Sequence, residues 1–318
     1  MTGVDAVTGA FGYTGSFIAE RLLAHGRTVR TLTRRPAAGH PLGTRVEAVP
    51  LQFDDAQGLT AALRGVDTLY NTYWRRFPHQ TAGFEDILAN SEMLVGAASK
   101  AGVRRIVQFS VSNASAEAPT SYFRAKAQVE RIVRASGLSC AILRPTLLYG
   151  PGDILVNNLA WTLRRVPVFG MPGAGAYRVQ PVLVADVAAL AVRLAQTDEN
   201  VTIDAAGPET YRFVDLVRLI RDRTGAPARI VAVPPWLALV GARVVGRIVG
   251  DVMLTRDEIS ELMAGLLASD NPATCPTRFS AWITAEANTV GRRYSSELAR
   301  NYAAQGDDPI SPFDGRSR

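Results

Sequence analysis

Short apolar segments alternate with longer amphipathic segments along much of the chain. The segment VDAVT, which begins at Val4, precedes a stretch in which Ile18, Leu22 and Leu23 recur at helical spacing, and a second apolar segment, RTVRTLT, follows. Further strands are predicted over 46–53, 66–73 and 105–109, and the longest helix over 82–101. Strands and helices that alternate at this spacing predict an α/β protein with a doubly wound parallel sheet.

The first strand leads into a glycine-rich turn, TGAFGYTG, with a glycine at every third position. In a dinucleotide site such glycines allow a tight turn, close approach of the backbone to a pyrophosphate and close helix–strand packing. The next helix would offer its unpaired N–H groups to the phosphates. Three glycines could form only a turn, but their place between strand and helix favours a dinucleotide-binding loop. The loop residues predicted to contact the cofactor are Gly9, Phe11, Gly12, Tyr13, Thr14 and Gly15.

The ends of the second and third strands offer further contacts to a nucleotide. Arg34 and Arg35 follow Thr33, where an acidic residue would bind the ribose 2′-hydroxyl of NAD. Two guanidinium groups suit the 2′-phosphate of NADP, so we favour NADP(H) over NAD(H), although a solvated basic turn would look the same. Asp54, after the third strand, could accept a hydrogen bond from the adenine amino group or cap the next helix.

Tyr122 and Lys126 lie one turn apart on a helix predicted to be capped by Ser121 and to run to about Arg134. A tyrosine ordinarily loses its proton near a pH of about 10, so it is a poor acid or base at neutrality. An ammonium group one turn away stabilises the phenolate, and it could also reach a ribose hydroxyl. Of the 35 basic residues only Lys100 and Lys126 are lysines. An exposed helix pair is the alternative, but this scarcity favours a catalytic pair.

Four segments together resemble the short-chain dehydrogenase/reductase superfamily: TGAFGYTG, FSVS, YFRAK and LRPTLLYG. The resemblance runs from Val4 to about Val233 and is closest to the extended and atypical branch. That branch includes NAD(P)-dependent epimerase/dehydratase-like proteins, NmrA-like proteins and proteins similar to the NADPH-binding subunit of respiratory complex I. The resemblance implies a Rossmann-type sheet, NAD(P) binding, a Tyr/Lys pair with a serine after the fifth strand, and a C-terminal substrate-binding portion.

Individual positions match the superfamily unequally. Arg34 matches its phosphate-discriminating position, and Pro145 matches the proline that lies beside the nicotinamide. The serine is ambiguous, because the register closest to the usual double-serine motif puts Val111 at the second serine. Either Ser110 or Ser112 could orient a substrate carbonyl, and both could simply end the strand.

The segment NTYWRRFPH departs from the small residues that the superfamily often has after its fourth strand. Trp74 and Arg75 lie where ligands bind in such sheets, so we predict that they contact substrate. They could instead be the packing of a lid. A third predicted substrate contact is Gln180, which follows the loop-like segment PVFGMPGAGAY.

The alternation weakens beyond Pro151. We therefore predict a Rossmann-type dinucleotide-binding domain over 1–148, to which 181–205 return. A smaller, mostly helical substrate-binding portion is predicted over 149–180 and 206–318.

The apolar segment 234–250, PPWLALVGARVVGRIVG, is too short to span a membrane because Arg243 and Arg247 interrupt it. Trp236, Val240 and Ile248 share one helical face with neighbouring apolar residues. A helix lying on a membrane surface would show this pattern. We favour a helix whose apolar face packs into the core, so that membrane association is not expected.

Composition excludes some classes of protein. The 318 residues carry a net charge of +6, but the arginines are spread along the chain, which disfavours nucleic-acid binding. Cys140 and Cys275 show no paired spacing, so neither a disulfide framework nor a metal site is expected. No secretory signal precedes the first strand, which predicts a cytoplasmic location. We expect a monomer or a homodimer.

These patterns predict an NADP(H)-dependent oxidoreductase that acts on a carbonyl or alcohol of a small molecule through its Tyr/Lys pair. Two alternatives stay open. One is an NADP(H)-binding sensor or assembly protein without turnover, and the other is a nucleotide-sugar epimerase or dehydratase.

Overall fold

The computed structural model describes residues 3–35, 37–76 and 83–301. Its strands are β1 (Val4–Thr8), β2 (Thr28–Thr33), β3 (Glu47–Pro50), β4 (Val66–Asn71), β5 (Arg105–Phe109), β6 (Ser139–Pro145), β7 (Leu147–Tyr149), β8 (Val168–Pro172), β9 (Arg178–Val179), β10 (Pro181–Leu183), β11 (Val201–Ala205), β12 (Tyr211–Arg212) and β13 (Arg229–Val233). Its helices are α1 (Tyr13–Ala24), α2 (Ala56–Leu63), α3 (Phe84–Ala101), α4 (Ser121–Ala135), α5 (Leu155–Arg165), α6 (Val184–Leu194), α7 (Phe213–Thr224), α8 (Pro235–Val249), α9 (Arg256–Met263), α10 (Phe279–Ala285) and α11 (Glu297–Asn301).

A parallel sheet of seven strands, counted over the described residues, has the order β11-β6-β5-β4-β1-β2-β3. This order confirms the predicted doubly wound α/β architecture. The chain builds outwards from β1 in one direction and then crosses to β4 to build in the other. Ligands bind in such sheets beyond the carboxyl ends of the strands at this reversal. The ends of β1, β4 and their neighbour β5 are therefore the place to look for a site.

Apolar layers cover both faces of the sheet, which explains why β1, β4 and β5 are nearly continuous buried segments. Helices α1 and α6 pack together on one side, and α2, α3 and α4 on the other. Representative core residues are Ile18, Leu22, Val187 and Leu190 on the first side, and Leu59, Leu63, Leu94 and Val133 on the second.

A buried polar network fixes the carboxyl ends of the three central strands relative to one another. The Thr8 hydroxyl donates to Asn71 Oδ1 at 3.1 Å and accepts from the Thr72 N–H at 2.7 Å. Asn71 Nδ2 in turn donates to Gln108 Oε1 at 2.8 Å. Because every member is bonded, this network rigidifies the edge of the sheet where the site is expected.

The chain divides into two compact units. The first comprises Met1–Gly150, Val182–Pro208 and Ser269–Pro276, and the second Pro151–Pro181, Glu209–Ala268 and Thr277–Arg318. The first unit contains the parallel sheet and its flanking helices.

The second unit is mostly helical and contains two small ladders. Strands β8 and β13 pair in parallel, and β9 pairs with β12 antiparallel. Arg164 and Arg165, at the end of α5, donate to backbone carbonyls between residues 287 and 292 and so bind α5 to that turn. That this unit binds substrate stays a prediction.

The prediction that the apolar face of segment 234–250 packs into the core is wrong. Trp236 is 64% exposed on α8, and Val244 and Ile248 are exposed to a similar degree. The buried side of α8 is formed instead by Leu239 and small residues such as Gly246, where a Cβ atom would lie 2.6 Å from a backbone oxygen. Small residues let the helix approach its unit closely, which leaves its larger apolar side chains outside. No described helix is long and apolar enough to cross a membrane.

Candidate functional site

The loop between β1 and α1 has the backbone that its glycines require. Gly9 has a φ of 71°, in the left-handed region, and its carbonyl accepts from the Gly12 N–H at 2.8 Å. A Cβ atom on Gly15 would lie 2.2 Å from the Gly9 carbonyl oxygen, so only glycine lets α1 pack this closely on the loop. The geometry confirms the tight turn at Gly9 and the close helix packing at Gly15, and the approach to a pyrophosphate stays a prediction.

This loop fits an anionic group such as a pyrophosphate. Helix α1 begins at Tyr13 directly after the loop, its N-cap Gly12 makes no side-chain cap, and its first turn carries no acidic residue. The N–H groups and the positive end of the helix dipole therefore favour a negative charge here. Arg35 lies against the loop and donates from Nη1 to the Phe11 carbonyl at 2.9 Å, while Arg34 is exposed at the end of β2. Thr14 stands in the first turn of α1.

One of the two alternatives for Asp54 is excluded. The residue that caps α2 is Asp55, whose Oδ1 accepts from the Gly58 N–H at 2.8 Å. Asp54 is exposed one residue earlier. A contact between Asp54 and an adenine stays a prediction.

Helix α4 carries the Tyr/Lys pair, and Thr120 rather than Ser121 occupies its N-cap position. Lys126 is only 4% exposed, and its ammonium donates to the Phe109 carbonyl at 3.1 Å. Phe109 is the last residue of β5. The bond therefore holds the lysine at the carboxyl end of a central strand, on the side of the sheet where doubly wound α/β proteins generally bind ligands.

Trp74 covers the ammonium group. Lys126 Nζ lies 3.9 Å from the centre of the Trp74 ring, and the same ring meets Tyr122 edge-on with 5.4 Å between centroids. Phe84 stacks on Trp74 at 5.8 Å and lies 6.2 Å from Tyr122. Trp74 Nε1 is buried and has no hydrogen-bond partner in the part of the chain that the structure describes. Trp74 thus packs directly on the predicted catalytic pair.

Burial changes the acidity of the lysine. It lowers the pKa of Lys126 from its ordinary value of 10.5 to about 7, although the nearby charge of Glu130 opposes this shift. Near neutrality the Lys126 side chain is therefore divided between its charged ammonium and neutral amine forms. Its influence on Tyr122 is greatest at pH values below about 7.

A buried carboxylate distinguishes the two candidate serines. Glu130 is 1% exposed, and its Oε1 accepts from the Ser110 hydroxyl at 2.6 Å. Arg144 makes a two-pronged ion pair with the same carboxylate at 2.8 and 2.7 Å. The Ser110 proton is therefore committed to a structural bond. Ser112 is fully buried, and its N–H donates to the Pro145 carbonyl at the end of β6.

The structure brings Tyr122, Lys126 and Trp74 together. Arg75 follows Trp74 and is half-buried. Gln180 belongs to the second unit, where its N–H donates to the Leu267 carbonyl at 2.9 Å. The substrate roles of Arg75 and Gln180 stay predictions.

Sequence reasoning missed two residues of the site. Phe84 is the first residue of α3, and no periodic pattern marked its contact with Trp74. Glu130 did leave a signal, because Tyr122, Lys126 and Glu130 recur every four residues along one face of α4.

Comparisons with known proteins identify the family to which the chain belongs. A profile of the family described as NAD(P)H-binding matches residues 9–198. The chain is similar to NADH dehydrogenase (ubiquinone) 1 alpha subcomplex subunit 9, mitochondrial, of Arabidopsis thaliana, with 27% identity over 288 residues, 84% of this chain and 71% of that protein. It is also similar to a ceramide reductase of Caulobacter vibrioides, with 27% identity over 247 residues, 76% of this chain and 77% of that protein.

A solved structure shows the same fold. It is an NADPH-dependent quinone oxidoreductase of Escherichia coli complexed with NADPH, with a TM-score of 0.70 and 20% identity. The match covers 89% of this chain and 99% of that chain.

Proposed function

Because the chain belongs to the NAD(P)H-binding family, we propose that it is an NADP(H)-dependent oxidoreductase acting on a carbonyl or alcohol through Tyr122 and Lys126. One observation carries the proposal. Lys126 is buried against the carbonyl that ends β5, and both members of the pair contact Trp74, just beyond the end of β4. Burying a lysine beside a phenol at this edge of the sheet lowers the stability of the fold, and such destabilising arrangements are typical of catalytic sites.

The residues that would hold the dinucleotide are those of the glycine loop, with Arg34 and Arg35 for a 2′-phosphate. The N–H groups at the start of α1 suit the pyrophosphate, and the end of β2 lacks the carboxylate that would select NAD. When bound, the nicotinamide supplies or accepts a hydride.

The side chains of this chain then handle the proton and the substrate oxygen. Tyr122 exchanges a proton with that oxygen, and the Lys126 ammonium stabilises the phenolate left behind. Either Ser110 or Ser112 would donate a hydrogen bond to the same oxygen, and the bond from Ser110 to Glu130 makes Ser110 the weaker candidate. As the pH rises through about 7, Lys126 loses its charge and this support weakens.

The surroundings of the pair favour an apolar substrate. Trp74, Phe84 and Tyr122 form an aromatic cluster around the ammonium. The relative named as a ceramide reductase supports a lipid-like carbonyl. We therefore infer a hydrophobic ketone or quinone as the substrate class.

Replacing Tyr122 with phenylalanine tests the proposal, with Tyr177→Phe in the second unit as the matched control. NADPH oxidation would be followed with quinones, long-chain ketones and sugar nucleotides, beside a titration of NADPH binding. Tyr122→Phe should lower turnover at least about a hundredfold while the NADPH dissociation constant changes less than about twofold. Full turnover by Tyr122→Phe would reject the assignment.

A second candidate function is NADP(H) binding without turnover. The observation that favours it is the Trp74 ring over Lys126, which occupies the ammonium. The relatives named as respiratory-chain subunits are compatible with it. Tight NADPH binding by the unmodified protein, with no oxidation on any member of the panel, would support this candidate over the first.

A further inference from the structure

The exposed apolar surface of the described residues is concentrated on α8. Trp236, Val240, Val244 and Ile248 are 44% to 64% exposed and recur every four residues. Side chains with this spacing form one stripe along a helix, here about 18 Å long. Leu237, 41% exposed, widens the stripe at its start. Large contiguous apolar patches on a surface mark sites of interaction.

Helix α8 is held so that this stripe stays outside. Its first turn begins with Pro235, and it ends at Gly250, which has a φ of 66°. The opposite side, with Ala238, Leu239 and Gly246, is buried in the second unit, where α8 packs against β8. Asp251, directly after the helix, accepts hydrogen bonds from the Tyr294 hydroxyl and from backbone N–H groups at the start of α11.

The positive charges beside the stripe favour a negatively charged partner. Arg243 and Arg247 are exposed, and each lies three residues after a valine of the stripe, so they line one edge of it. No acidic residue occurs between Asp222 and Asp251, whereas four arginines do. A second copy of the same face would bring arginines together. An anionic lipid surface instead provides apolar acyl chains for the stripe and negatively charged headgroups for the arginines.

We propose that α8 docks in the plane of an anionic lipid bilayer. The stripe inserts at the boundary between headgroups and acyl chains, with Trp236 at the level that tryptophan prefers. Arg243 and Arg247 extend to the lipid phosphates. The proposal concerns attachment to one face of a bilayer and does not depend on the function proposed for Tyr122 and Lys126.

Vesicle co-sedimentation of the full chain tests this proposal without any turnover. Vesicles of phosphatidylcholine alone would be compared with vesicles that contain about one-third phosphatidylglycerol. We expect binding to the anionic vesicles that weakens as salt is raised. Absence of binding to them would overturn the proposal.

Charge and apolar variants separate the two contributions. Arg243→Gln with Arg247→Gln should lower partitioning into anionic vesicles about twenty-fivefold, at roughly fivefold for each charge. The control is Arg131→Gln with Arg193→Gln, two exposed arginines on other helices, which should change little. If both pairs lower binding equally, general charge rather than α8 is responsible.

The apolar variant is Trp236→Ser with Val244→Ser, which should lower partitioning at least about tenfold. Leu155→Ser with Met263→Ser removes exposed apolar side chains elsewhere in the same unit and serves as the control. Thermal unfolding verifies that each variant folds, because substitutions of exposed side chains generally change stability little.

Two further readouts exclude other occupants. Tryptophan fluorescence should shift to the blue on anionic vesicles, and Trp236→Phe should remove that shift. Size-exclusion chromatography with light scattering should show the same mass for the unmodified protein and for the variant Trp236→Ser with Val244→Ser. The proposal would be overturned if the unmodified protein were a dimer that bound no vesicles and the variant Trp236→Ser with Val244→Ser were a monomer. The stripe would then be the contact with a second copy of the chain.

Discussion

Replacing Lys126 with methionine removes a charge that the fold buries at a cost. Burial lowers the pKa of this lysine from 10.5 to about 7, so the folded protein binds its proton more weakly than the unfolded chain does. Below pH 7 the lysine is charged in both states and the full cost is present. Between pH 7 and 10.5 only the unfolded chain keeps the proton, so the cost shrinks as the pH rises and vanishes above 10.5.

The size of this cost follows from the displacement of the pKa. At about 1.36 kcal/mol for each pH unit, the full cost below pH 7 is about 5 kcal/mol. The Trp74 ring and the Phe109 carbonyl offset part of it, by about 1 kcal/mol each. Methionine leaves the Phe109 carbonyl satisfied, because Gln108 Nε2 also donates to it at 2.9 Å. Lys126→Met should therefore raise the free energy of unfolding by about 2–4 kcal/mol near pH 6.5.

Urea unfolding at pH 6.5, 8 and 9.5 measures this directly, with NADPH turnover followed in parallel. The gain in stability should decline as the pH rises, while turnover falls at least about a hundredfold at every pH. Lys100→Met is the matched control, because the only other lysine is exposed near the end of α3 and should change stability by less than about 0.5 kcal/mol. The reasoning about the burial cost would be refuted if Lys126→Met had a lower free energy of unfolding than the unmodified protein, or a gain in that free energy that did not depend on pH.

Three other changes test the loop, the cofactor preference and the buried ion pair. Gly15→Ala should weaken NADPH binding at least about tenfold in a fluorescence titration, because its Cβ would lie 2.2 Å from a backbone oxygen; Gly96→Ala in α3, with open space around it, should not. Arg34→Gln should raise the dissociation constant of NADPH about tenfold and leave that of NADH unchanged, whereas equal losses would contradict a phosphate contact. Glu130→Gln leaves Arg144 without its buried countercharge and should cost about 3 kcal/mol in urea unfolding, and a loss below about 1 kcal/mol would argue against the pair.

The sheet and the phosphate loop were predictable because their signals are local. Strand-forming and helix-forming periodicities are read within a dozen residues, and the glycines at 9, 12 and 15 report steric demands of one turn. The Tyr/Lys spacing is local in the same way, since both residues lie on one helix. Each of these inferences needed no knowledge of distant contacts.

The contacts around the pair were not predictable, because they join segments far apart in sequence. Trp74 follows β4, Phe84 begins α3 and Tyr122 lies on α4, yet the three rings are in contact. From the sequence alone, a substrate contact and lid packing were equally good roles for Trp74. The bond that occupies the Ser110 hydroxyl was not predictable either, because its acceptor Glu130 lies on the neighbouring helix.

The prediction that the apolar face of α8 packs into the core failed for a different physical reason. Periodicity shows that a helix is amphipathic but not which side the rest of the protein covers. Small residues such as Ala238 and Gly246 decided the outcome, because they allow close packing on the side with less apolar bulk.

The most direct test of the central claim is a crystal structure of the protein with NADP(H) bound. The account predicts that the pyrophosphate lies on the glycine loop, that Lys126 Nζ comes within about 3.2 Å of a ribose hydroxyl, and that the Tyr122 hydroxyl faces the nicotinamide. A dinucleotide bound elsewhere, with Trp74 still over Lys126 and the Tyr122 hydroxyl turned towards solvent, would contradict it.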